Sequence, residues 1–263
     1  MANSAYGSGI NLDAMVVPVQ AATVFAAQEN SLYLPGILVP SVTVPAGSAS
    51  AQVAVMGSVT ADSIAAEAAP GVDFETLLPS DTKKTIALDL IAARTVLRDL
   101  GGIDTADMGR IMGNAIASKV DALVSTQLGA LTAQEATTNL LDELYIAIGT
   151  IRAAGETGPL NCVVSAAAYQ GFMTVIGSSA FAGGDTQNAA MRSGFIGMIA
   201  GTPCYVSSYL NDTNTGLTNT KFAVFSGDAL RMAMQGGVNV EVERRAAAVG
   251  NDIVASAAFG VDI

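Results

Sequence analysis

The chain has 263 residues, 51% of them hydrophobic and only 13% charged, where soluble domains usually carry about 25% charged residues. Its net charge of −11 disfavours binding to a polyanion by phosphate neutralisation. It contains no histidine, which excludes Ser-His-Asp and Cys-His nucleophilic systems and most catalytic zinc sites.

So few charges cannot cover an isolated subunit generously, and much of the uncharged surface is expected to face other subunits. The leading residues MANSAYGSGINLD are polar and lack a basic n-region, so a mobile terminus and cytoplasmic synthesis are expected. In VVPVQAATVFAAQENSLYL a short helix is expected after Pro18, because proline is tolerated in a first turn and alanines follow. LPGILVPSVTVPAG then carries a proline every fifth residue: Pro35, Pro40 and Pro45. These exclude a central strand or a membrane-spanning helix and predict an extended segment without its own core, lying along another subunit.

From Ser50, SAQVAVMGSV alternates at strand period, and TIALDLIAARTVL, from Thr85 onward, supplies a second, less regular run. Between them ADSIAAEAAPGVDFETLLPSD is polar and acidic, which makes the whole a projecting hairpin with a long irregular tip. A lone hairpin is marginal in water and asks for a covering neighbour.

The spacing predicts a long helix over residues 105–130, with Asp104 or Thr105 as N-cap. Met108, Ile111, Met112, Ala115, Ile116, Val120, Leu123 and Val124 form its apolar stripe, read as core packing rather than a cofactor box. A second helix is expected over 138–154, burying Leu140, Leu141, Leu144, Ile148 and Ile151 and ending at Gly155. After Gly158 the text reads as short strands and loops. NCVVSAAAYQGFM leads to a loop at SSAFAGGDTQN and then to GFIGMIAGTPCYVSSY, where Gly194, Gly197, Gly201 and Pro203 punctuate an apolar run turning into a strand. KFAVF is a strand, GDALRMAMQGGVNVEVERR reads as two strand-like runs split by Gly236 and Gly237, and IVASAAFGV closes the chain. This order implies a flattened, elongated α+β fold.

The chemistry-bearing residues read mostly as structure. Cys162 and Cys204 show no CxxC spacing and are expected as two buried thiols in a reducing compartment. The glycines from Gly194 to Gly201 match neither GxGxxG nor a GK[ST] ending. The carboxylates Asp142/Glu143 and Glu241/Glu243 are weighed as acid–base pairs; Arg244 and Arg245 beside the second make it a surface ion-pair ladder. The loop holding Asp212, Asn214 and Gly216 lacks the acidic twelfth ligand of an EF-hand and reads as a polar turn. No Lys or Arg precedes Lys83, while Asp13, Glu29, Asp62, Glu67, Asp73, Glu75 and Asp81 do. This acidic third either meets Arg94, Arg98, Arg110 and Arg152 of a neighbouring copy or forms a solvated face. The candidate inter-subunit charges are Asp73, Glu75, Lys83, Lys84, Arg94 and Arg98.

Two modest motifs carry a family resemblance: Gly197, Gly201, Pro203 and Ser207 in one, Phe259, Gly260 and Val261 in the other, following the arm, hairpin and long helix in order. The chain resembles, over essentially its whole length, the HK97-type major capsid proteins of tailed bacteriophages. The resemblance implies an N-terminal arm at residues 1–47, an extended loop at 48–92, and a peripheral domain at 93–155 with a spine helix over 105–130. An axial domain would follow at 156–228, and residues 229–263 would return to the peripheral domain. It further implies a non-enzymatic subunit that assembles as hexamers and pentamers into an icosahedral virion shell enclosing DNA without sequence-specific contacts. Portal, scaffold or cement proteins would be partners, and neither membrane nor cofactor is needed. Some relatives cross-link through a lysine on the extended loop; here only Lys83 and Lys84 lie near it, and noncovalent interlocking is expected. The alternatives are an encapsulin-like compartment sharing this fold, a secreted surface-array protein, and a histidine-free enzyme with an acidic metal site near Asp212.

Overall fold

A computed structural model describes residues 12–56, 81–98, 105–131, 140–178, 195–199, 201–210 and 221–263. Helix α1 (Leu12–Asn30) comes first, then strand β1 (Ser41–Thr43), the hairpin β2 (Ser50–Met56) and β3 (Asp81–Ala87), and β4 (Asp89–Arg98). Helices α2 (Thr105–Gly129) and α3 (Leu140–Ala153) follow, then β5 (Leu160–Ser165), α4 (Ala166–Ser178), β6 (Phe195–Ile199), β7 (Thr202–Ser207) and β8 (Phe222–Ser226). The long strands β9 (Arg231–Arg245) and β10 (Gly250–Asp262) close the chain. The expected α+β class is therefore observed.

One four-stranded sheet has the order β1-β9-β10-β4, a second has β6-β7-β5-β8, and β2-β3 stands as a two-stranded sheet. β10 pairs antiparallel with both β9 and β4, so the last strand of the sequence is central to the first sheet. Its odd positions Ile253, Ala255, Ala257 and Phe259 are buried with Met108, Met112, Ile116, Val120, Val124 and Leu128 of α2. Full burial of each large aliphatic side chain is worth about 1.5–3 kcal/mol, so this face is the main stabilising element. The second sheet is covered twice. Val163, Ala223 and Phe225 join that main core, while Cys162, Val164 and Cys204 pack beneath Leu141 and Leu144 of α3 and Phe172 of α4. Phe172 meets Phe222 edge-on, with ring centroids 5.8 Å apart.

Several expectations are corrected. The segment after residue 12 is helical well before Pro18 and is not without a core: Val19, Ala27, Tyr33, Leu38 and Val39 are buried in the main cluster. Small residues on α1 let it lie flat on α2, and that long-range contact is invisible to a local proline count. On α2, Ile111 is 60% exposed and Ala115 is exposed; the buried row runs at four-residue steps from Met108 to Leu128, with Gly109, Gly113 and Ala117 beside it. The AAAYQGF stretch after β5 is helix α4, not strand and loop; the Ser165 hydroxyl accepts the Ala168 N–H at 3.2 Å and so caps it, and alanine favours helix. The run from Thr85 is interrupted at Leu88, where the chain passes from the hairpin into the first sheet. Gly236 and Gly237 do not split β9: Gly236 adopts φ 68 and the β9–β10 register shifts between Ser256 and Ala258, which makes a bulge in one continuous strand. The expected N-cap at Asp104 and the hairpin tip lie outside the described residues.

Candidate assembly surface

An unpaired strand edge and exposed apolar side chains are spread over several elements. β4 is the terminal strand of the first sheet and pairs only with β10 among the described residues, leaving a ten-residue edge. Beside it, β4 and α2 enclose a groove of about 460 Å³ lined by Asp89, Leu90, Ile91, Ala115, Lys119 and Leu123. Leu90 is 75% exposed, and Val96, further along the same edge, is also exposed. Other large apolar side chains are exposed on separate elements: Phe25 on α1, Ile37 after it, Tyr145 and Ile146 on α3, and Met198 on β6.

The hairpin is anchored at its root and exposed beyond it. Val44, Ala51, Ile86 and Ala233 form a small core at the base, with Val53 and Leu88 against it. The Leu88 N–H donates to the Ala49 carbonyl at 2.9 Å, and Gln235 Nε2 donates to the carbonyls of Pro45 and Ser48. Gly260 of β10 passes under Ala87, where a Cβ would stand 3.0 Å from the Ala87 carbonyl carbon and 3.1 Å from Ile86 Cγ2. Two strands alone are marginal, so this root fixes the hairpin's direction while Val55 stays exposed.

The residues singled out in the sequence do not gather in one place. Gly197 (φ 125) sits at a register shift within β6, Gly201 (φ 76) turns the chain, and Pro203 faces Met198 across the β6–β7 pair. The motif is thus a hairpin and not a turn leading into a single strand. Ser207 ends β7, buried, and its hydroxyl accepts the Tyr209 N–H at 3.2 Å. Phe259 is core, Gly260 lies at the hairpin root and Val261 packs against the main cluster. Lys83 and Lys84 are exposed on β3, and Lys84 Nζ donates to the main-chain oxygen of Ile263. Arg94 is engaged within its own chain: its Nε donates to both carboxylate oxygens of Asp252, at 2.9 and 3.0 Å, and Arg245 approaches the same group at 3.9 Å. Arg98 stands opposite Gly250 at the end of β4. Arg152 is likewise occupied, donating to the carbonyls of Glu156 and Gly158 beyond the end of α3. Asp73, Glu75, Asp212, Asn214 and Gly216 lie outside the described residues.

Two electrostatic features escaped the sequence reading. An ion-pair cluster centres on Asp252 of β10, which Arg94 and Arg245 flank from the neighbouring strands; Arg94 holds the Asp252 carboxyl below its ordinary value. Cross-strand register, not sequence proximity, makes this cluster. Deeper in the molecule, Asp121 of α2 accepts hydrogen bonds from the Ser31 hydroxyl and the Leu32 N–H, and burial raises its pKa. The wholly buried Tyr33 hydroxyl lies near Ser125 and Ser207 but meets no hydrogen-bond partner among the described residues, and burial pushes it far above its ordinary value. A lone Asp amid the α2 stripe was the available signal for this seam.

No described helix is long and apolar enough to cross a membrane, and the described residues contain no group of three metal-ligating side chains. No family model matches the chain, and no curated protein matches it in sequence. Solved structures do. The capsid structure of cyanophage P-SCSP1u matches at TM-score 0.64 and 18% identity, covering 86% of this chain and 83% of that one. The mature capsid of bacteriophage PhiM1 matches at TM-score 0.59 and 16% identity, covering 90% and 82%. A virus-like particle from Pyrococcus furiosus matches at TM-score 0.61 and 12% identity, covering 93% of each chain. The fold is therefore shared with these shell-forming chains, and the resemblance drawn from the sequence holds at that level.

Proposed function

We propose that this chain is the major capsid protein of a tailed bacteriophage, a structural subunit whose copies close into an icosahedral shell around phage DNA. The observation that carries this reading is the likeness to capsid structures, which covers 82% or more of both chains in each case rather than one motif or domain. The β4 edge and the rooted hairpin, left open among the described residues, and the scattered exposed apolar side chains support it, since each finds a partner in an assembly. In this reading residues 48–92 are the extended loop, with β2 and β3 as its strands. Residues 93–155 and 229–263 form the peripheral domain with α2 as spine helix, and 156–228 form the axial domain around the second sheet. Residues 1–47 are the arm, with α1 docked on its own subunit and Phe25 and Ile37 facing outward. The role is structural and not enzymatic, and the histidine-free composition supports it. The acidic balance lets condensed DNA lie inside without adhering to the wall. Portal, scaffold or cement proteins complete the virion, and assembly takes place in the host cytoplasm.

Electron microscopy of the purified protein beside size-exclusion chromatography tests the reading. Round shells, or free pentamers and hexamers, are expected. A protein that stays monomeric across salt and concentration, even with a scaffold protein supplied, overturns it. The likeness to the virus-like particle keeps a second reading, an encapsulin-like compartment, and the contents of purified shells separate the two: nucleic acid for a capsid, co-purifying protein for a compartment.

A further inference from the structure

The two middle strands of the second sheet carry thiols side by side. β5 and β7 run parallel, and Cys162 is the register partner of Cys204, so both side chains leave the sheet on the same face. Both are reduced, and neither has any exposed surface. Leu141 and Leu144 of α3 and Ala168 and Phe172 of α4 cover them. Neighbouring strands run about 4.8 Å apart, which puts register partners within the roughly 4.4–6.8 Å between Cα atoms that a disulfide spans. The 41 residues that separate them in sequence hide this pairing completely.

We infer that Cys162 and Cys204 form a buried dithiol that a small peroxide converts to an intrachain disulfide joining β5 to β7. The Cys204 thiolate attacks one oxygen of hydrogen peroxide; the O–O bond breaks and the departing hydroxide takes up the proton Cys204 had released, leaving water and a sulfenic acid. The Cys162 sulfur then attacks that sulfenic sulfur, the S–S bond forms, the S–O bond breaks, and the hydroxide leaves as water with the Cys162 proton. Two thiols are oxidised and one peroxide is reduced to two waters. The same disulfide and the same two waters result whichever sulfur attacks first, because the two side chains share one face at one register position. The covering helices make the site selective by size: a peroxide is little larger than water, while an aromatic disulfide reagent needs α3 and α4 to lift. The consequence is a staple across the centre of the second sheet, closing a loop that contains α4 and β6.

The test treats the full-length protein with hydrogen peroxide, then denatures it and counts thiols by alkylation before and after dithiothreitol, a readout that methionine oxidation does not disturb. Both thiols should disappear together and both return on reduction, and digestion should yield a peptide pair linking positions 162 and 204 of the same chain. In Cys162→Ser the remaining thiol should pass to sulfinic acid, which dithiothreitol does not recover. An aromatic disulfide reagent should leave both thiols untouched in the native protein and react with both in urea. Loss of one thiol without the other, a linkage between chains, or no loss under peroxide that oxidises the urea-unfolded protein would each overturn the inference.

Discussion

Gly113 of α2 lies directly against Thr23 of α1: a Cβ placed on the glycine would run into the Thr23 carbonyl oxygen and stand 2.8 Å from Ala26 Cβ. One turn earlier, a Cβ on Gly109 would stand 2.8 Å from the Val19 carbonyl oxygen. The two glycines are what let the helices approach so closely, and the Thr23 hydroxyl turns back to donate to the Val19 carbonyl at 2.7 Å instead of reaching across. Alanine in a helix interior normally gains about 1 kcal/mol over glycine. Here the obstacle is backbone that cannot rotate away, and overpacking of about 1–3 kcal/mol wins. Gly113→Ala should therefore lower the urea midpoint. Gly149→Ala on α3, with nothing within 4 Å of the added methyl, should raise it by the equivalent of about 0.5–1 kcal/mol. Equal responses from the two variants would refute the close-packing account.

The Asp252 cluster sets a pH dependence of defined sign. Its folded pKa is lowered by Arg94, so its contribution is present above the unfolded value of about 3.9 and is lost as pH falls through the lower folded value. Urea titrations from pH 7 to pH 3 should find wild type ahead of Asp252→Asn at neutral pH, with the gap closing below about pH 4.

Asp121 should slope the other way. Burial raises its folded pKa, so the stability from this titration is present below about pH 3.9 and lost as pH rises through the folded value. Wild type should thus gain on Asp121→Asn as the solution is acidified. Asp121→Ala, which leaves the Ser31 hydroxyl and Leu32 N–H without their acceptor, should cost about 1–3 kcal/mol by the same urea measurement at neutral pH.

The bulge in β9 predicts a contrast between adjacent glycines. Gly236 has φ 68 and Gly237 no positive φ, and neither has a neighbour within 4 Å of an added Cβ. Gly236→Ala should destabilise by about 1–2 kcal/mol from backbone strain alone. Gly237→Ala should shift the thermal midpoint less, and the reverse order would place the bulge elsewhere.

Gly260→Ala reports on the hairpin root. The methyl would collide with the Ala87 carbonyl and must push β3 from its place. In the proposed shell the folded variant should give markedly fewer closed particles by electron microscopy at protein concentrations where wild type assembles. Unchanged particle yield with unchanged thermal midpoint would show that the root tolerates displacement.

Periodicity and composition determined much of this protein. The four-residue recurrence of Met108, Met112, Ile116, Val120 and Val124 dictated a long helix with a buried row. The alternation in SAQVAVM dictated a strand of the hairpin. Local signals sufficed there because helix and strand formation depend on neighbours within a few residues. What the sequence left open was which surfaces meet. That α1 would dock on α2, that Asp252 would sit between Arg94 and Arg245, and that Cys162 would lie beside Cys204 all depend on the register and packing of elements distant in the chain. A glycine reads alike in a turn, a bulge or a helix crossing. Only the tertiary structure made Gly236 a bulge and Gly113 a point of contact, because the atoms that decide the matter belong to other segments or to the backbone angle itself.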